Sequence, residues 1–62
     1  MKRIYGKFNG QRTFKAIDLK GGVQTQNLIF ASLLTEEEAK RFMEHEAPLN
    51  PEWQFEVREA GP

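Results

Sequence analysis

The one histidine of the chain, His45, stands between Glu44 and Glu46 in the stretch TEEEAKRFMEHEAP, Thr35–Pro48. An imidazole flanked by carboxylates has the donor types of a metal site and of a general acid–base pair. Spacing decides against both. On a helix, His45 shares a face with residues three and four positions away: Arg41, Phe42, Pro48 and Leu49, none of them a metal ligand. Glu44 and Glu46 project about 100° to either side. A zinc ion needs three or four converging donors. No metal is therefore expected, and His45 reads as a solvated residue near the negative end of a helix.

The other reactive types are as thinly spread. Glu36–Lys40 and Glu37–Arg41 are spaced as i,i+4 pairs on a solvated helical face, each worth about 0.2–0.5 kcal/mol, rather than as carboxylates converging on a cleft. Ser32, the single serine, has no adjacent histidine and no strand–turn–helix elbow. Gly21-Gly22 lacks the surrounding pattern of a phosphate-binding loop and reads as a turn. Cysteine is absent, which removes disulfides and thiolate chemistry and fits a reducing cytoplasm. The expectation is a protein without enzymatic activity, metal or cofactor. No apolar run is long enough to span a membrane.

The elements that would position any site follow from periodicity. KRIYGKF alternates with period two and predicts a strand over 2–8. Asn9-Gly10 signals a hairpin into a second strand over 12–19. A three-residue loop of Phe8, Asn9 and Gly10 pairs Ile4 with Phe14. It gathers Ile4, Gly6, Phe14 and Ala16 on one face and puts Tyr5, Lys15 and Ile17 on the other. After the turn at Gly21-Gly22, the apolar run NLIFASL predicts a third strand over 27–33. Thr35 and Glu38 have the spacing of a capping box, Leu34 can staple onto Ala39, and a helix is expected over 36–47, ended by Pro48. EWQFEVRE alternates Trp53, Phe55 and Val57 with polar residues, a fourth strand over 53–59.

The order β-β-β-α-β places the whole chain, residues 1–62, in one domain of the α+β class: a small four-stranded mixed or antiparallel sheet with a single helix on one face. A right-handed crossover makes the fourth strand parallel to the first and third, so it can lie beside either, and the bare edge of the first strand favours the order 3-2-1-4. The string FASLLTEEEAKRFMEHEA, Phe30–Ala47, resembles a strand-then-helix pattern of many small α+β proteins, among them the hybrid-binding N-terminal domain of some ribonucleases H. The resemblance covers under a third of the chain and consists of the capping box and the apolar stripe. The aromatic and glycine elements of that domain's nucleic-acid surface have no counterpart, so no function is carried over.

The formal net charge is zero but unevenly laid out. Residues 1–20 hold six cations against Asp18, and residues 35–62 hold eight glutamates against Lys40, Arg41 and Arg58. A lone helix covers one side of a sheet, so apolar residues on the other side are expected to meet a partner. With Gly21-Gly22 as a two-residue turn, Leu28 and Phe30 point outward and join Tyr5 and Ile17 as the contacts, with Lys7 and Lys15 as flanking charges. With the strand turned over, Ile29, Ala31 and Leu33 are the outward set. The partner is a protein or a second copy of the chain. Single-stranded nucleic acid on the same face, where Arg3, Lys7 and Lys15 surround Tyr5, is the alternative.

Overall fold

The strand β1 (Lys2–Phe8) sends Ile4, Gly6 and Phe8 to one side of the sheet and Arg3, Tyr5 and Lys7 to the other. The structure, a computed structural model, describes residues 1–61. With β2 (Lys15–Asp18), β3 (Val23–Thr25) and β4 (Trp53–Glu59), β1 forms a four-stranded antiparallel sheet in the order β3-β2-β1-β4. The α+β class, the β-β-β-α-β order and the strand sequence 3-2-1-4 are as expected. Three details of the strands are not.

The first is the register of β2. Tyr5 pairs with Ala16 and Gly6 with Lys15, three residues away from the expected alignment. An odd shift turns a strand over. Ile17 therefore faces the helix, 6% exposed, and Lys15 goes with it to the side of Gly6, while Ala16 shares the opposite side with Tyr5. The shift lengthens the expected three-residue link to six residues, 9–14. A doubling of loop length costs about 0.6 kcal/mol. Burying an isoleucine side chain is worth about 1.5–3 kcal/mol. The shift exchanges Phe14 for Ile17 on the helix side, so the longer loop is a small cost beside the choice of core residue. Gly10 makes its turn at φ 96°, with Gln11 N donating to the Phe8 carbonyl at 2.9 Å. The amides of Gln11 and Gln24 then pair reciprocally at 2.8 and 2.9 Å.

The second is the third strand, which is Val23–Thr25 and not 27–33. Asp18 sets the preceding turn, its Oδ1 accepting from Lys20 N and Gly21 N at 3.0 and 3.2 Å. Gly22, at φ 67°, completes it. The apolar run after Thr25 folds into turns because side chains capture its backbone. Asn27 N donates to Thr25 Oγ1 at 3.1 Å, Ile29 N to Asn27 Oδ1 at 3.0 Å, and Phe30 N to the Asn27 carbonyl at 3.0 Å. Such local bonds compete with a strand ladder. The likeness to a strand-then-helix pattern thus holds for its helical half.

The third is the direction of β4, antiparallel to β1 from Lys2↔Glu59 to Phe8↔Trp53, and not parallel. Residues 26–34 cross the sheet once more before the helix begins. Ser32 N donates to the Ile17 carbonyl at 3.1 Å, Ser32 Oγ accepts from Leu19 N at 2.8 Å, and Leu34 bridges Lys2 by bonds of 2.6 and 2.8 Å. This extra traverse reverses the parity on which the crossover rule depends.

The helix α1 (Glu36–Arg41) starts at the expected capping box: Glu38 N donates to Thr35 Oγ1 at 3.1 Å and Thr35 N to Glu38 Oε1 at 2.8 Å. It widens into a π-helix over Phe42–Glu46 and closes as a 3-10 turn over Ala47–Leu49. Pro48 is the cause. It has no N–H for the Glu44 carbonyl, and its ring would collide there. Ala47 N reaches back five residues to the Phe42 carbonyl instead. Pro48 thus reshapes the last turns from within the helical stretch rather than ending it. Lys40 pairs with Glu44, not with Glu36 as its spacing allowed.

Ile4, Ile17 and Ala39 form the buried centre, with Leu19, Leu34, Phe42, Trp53 and Phe55 packed around them. Gly6 lets two strands meet there: a Cβ on it would stand 2.9 Å from Ile17 Cδ1 and 3.2 Å from the Phe55 ring.

Candidate functional site

Two surfaces stand out, on different parts of the fold. The first is the sheet face away from the helix. β1 supplies Arg3, Tyr5 and Lys7, and antiparallel β4 sets Arg58, Glu56 and Gln54 directly opposite them. Phe14, at the entry to β2, joins this face rather than the helix side, because the register turns β2 over. The side chains interleave. Arg58 Cζ lies 4.1 Å from the Tyr5 ring centroid and 5.9 Å from that of Phe14, and Lys7 Nζ lies 5.3 Å from the Phe14 centroid. These are cation–π distances. Glu56 also holds the Arg58 guanidinium through Nε and Nη2.

The second surface is the segment that leaves β3. Leu28 is 47% exposed, Ile29 84%, Phe30 61% and Leu33 50%, while Ala31 between them is buried. Phe30 and Leu33 border a groove whose far wall is Asp18, Leu19 and Lys20. A strand would have hidden one side of this run. The turns built on Asn27 leave four of its large side chains in solvent.

Of the residues expected at a contact, Tyr5 and Lys7 lie on the open sheet face. Ile17 belongs to the core and Lys15 to the helix side, so neither joins them. Leu28 and Phe30 are exposed, but in the turn segment and not on a strand flank. Phe14 and Arg58 on the sheet face were not anticipated, whereas Arg3 was expected beside Tyr5, and Ile29 and Leu33 were the other flank of the expected third strand. Period-two alternation of β1 already placed Arg3 beside Tyr5. Phe14 depended on the register of β2 and Arg58 on the direction of β4.

His45 is exposed on the π-helical turn, beside a shallow groove bordered by Arg41 and Phe42, its i−4 and i−3 neighbours. Among the described residues, no three histidine, cysteine or carboxylate side chains converge as metal ligands. Ser32 Oγ is engaged with the backbone of Leu19. Glu38 and Glu59 are held below the usual carboxylate range, the first by the backbone and side chain of Thr35, the second by Lys2 and the N-terminal ammonium. Lys2 is correspondingly raised, chiefly by its hydrogen bond to Glu59. Each shift is accounted for by a cap or an ion pair.

No described helix is long and apolar enough to cross a membrane. Comparison with protein-family models, curated proteins and solved structures gives no match for this chain.

Proposed function

We propose that the chain is a small, non-enzymatic binding module of the cytoplasm that docks onto another protein, or onto a second copy of itself, through the apolar segment Leu28–Leu33. The observation that carries this reading is the exposure of Ile29 at 84% and Phe30 at 61%, side by side, flanked by Leu28 and Leu33. A contiguous apolar patch on a small soluble fold is more often a contact surface than an accident. Covering Ile29 and Phe30 is worth about 1.5–3 kcal/mol each. The non-catalytic part of the reading is supported by His45 and the helical carboxylates, which lie out on the surface rather than around a cleft. A chain without cysteine suits a reducing compartment.

The test is sedimentation over a wide concentration range, alongside affinity capture with the native chain and with an Ile29→Ser/Phe30→Ser variant. A concentration-dependent mass, or a partner retained only by the native chain, is the expected result. A monomer whose captured proteins are identical for both chains would overturn it.

A further inference from the structure

Arg3 and Arg58 are direct cross-strand partners on the open sheet face. Like charges in that relation weaken a ladder. Arg58 is relieved by Glu56 and by the Tyr5 ring. Arg3 is not. Among the described residues its side chain makes no ion pair, and its Nε is buried without an acceptor. Lys7 likewise meets a ring rather than a carboxylate. Acid prevails on the other layer, where Glu36, Glu37, Glu38, Glu44 and Glu46 stand on the helical stretch against Lys40 and Arg41. The zero net charge therefore conceals a molecule polarised from one side to the other.

We infer that this face binds single-stranded nucleic acid. Arg3, Lys7 and Arg58 take the phosphates, one base stacks on the Arg58 guanidinium already laid over Tyr5, and a second stacks on Phe14. Cation and ring alternate along Arg3, Tyr5 and Lys7 in steps of ~6.7 Å. That interleaving of charge with flat platforms is what single-strand binding requires. An acidic peptide would satisfy the cations and leave the rings without a planar partner. Glu56 is the opposing element, since it neutralises one of the three cations and repels phosphate.

Fluorescence anisotropy of a labelled oligothymidylate, read from about 50 to about 200 mM salt, tests this directly. Binding should weaken as salt rises. Arg3→Ala and Lys7→Ala should each reduce the slope of log affinity on log salt by about 0.7. Glu56→Gln should tighten binding, and Tyr5→Leu should weaken it at every salt concentration. Because Arg3 is half-buried, Lys7→Glu is the second variant, with circular dichroism confirming that it folds. Absence of binding at about 50 mM salt, an unchanged slope in Lys7→Glu, or displacement of the oligonucleotide by oligoglutamate at equal charge would overturn the inference. Ile29→Ser/Phe30→Ser should leave oligonucleotide binding intact, so this face and the apolar segment succeed or fail separately.

Discussion

Arg58 Cζ lies over the ring of Tyr5, 4.1 Å from its centroid, while Glu56, the cross-strand partner of Tyr5, grips the same guanidinium. One side chain of the outermost strand is thus tied to the interior strand through a ring and to its own strand through a carboxylate. Exposed cation–π contacts contribute about 0.5–1 kcal/mol. A double-mutant cycle of Arg58→Ala with Tyr5→Leu, followed by urea unfolding, should return a coupling energy in that range. A coupling of zero would mean that the guanidinium is held by Glu56 alone.

Gly6→Ala should destabilise the fold. The added methyl would reach Ile17 Cδ1 and the Phe55 ring, and forcing a buried contact apart costs about 1–3 kcal/mol. Ile17→Val opens room at that point, so combining it with Gly6→Ala should recover part of the loss. Thermal unfolding followed by circular dichroism reads both effects.

Thr35→Ala removes the acceptor of the capping box and should cost about 0.5–2 kcal/mol. It should raise the Glu38 carboxyl only partway towards the ordinary range, because the backbone N–H of residue 35, the larger cause of its depression, survives in alanine and only the side-chain bond of Thr35 is lost. A carbon-13 NMR titration of the Glu38 side chain distinguishes loss of the cap from general fraying.

Stability should fall towards acid through Glu38 and Glu59. Both have folded-state values below their unfolded ones. Their contribution is complete above the unfolded carboxylate range and disappears as pH drops through the folded values. Lys2 has the opposite sign: its raised value keeps its contribution complete below the usual lysine range, to be lost as pH climbs through the folded value. Glu59→Gln should flatten the melting temperature against pH at both ends, since it removes its own shift and the main cause of that of Lys2.

Features encoded within a few residues were legible in the sequence. Thr35 and Glu38 announce the start of the helix because the cap needs only those two side chains and their own backbone. KRIYGKF and WQFEVRE announce strands because alternation is local. What escaped was set by distant comparison. Ile17 faces inward because Gly6 pairs with Lys15, an alignment that the Asn9-Gly10 signal does not specify. The run LIFASL is as apolar as a buried strand, yet Asn27 and Thr25 divert its backbone into turns. That diversion also reversed β4 and brought Arg58 opposite Arg3. The sheet-face site was consequently visible as residue types and hidden as a constellation.

The longest ladder of the sheet joins β1 to β4 over seven residue pairs, whereas β1 and β2 share two. The early hairpin therefore has little to hold it while a ribosome is still translating the middle of the chain, and β1 must wait for a strand encoded some fifty residues downstream, Lys2 for Glu59 and Phe8 for Trp53. Loop closure over that separation is the slow event. The sheet should therefore close late, with β1 open to chaperones until β4 emerges.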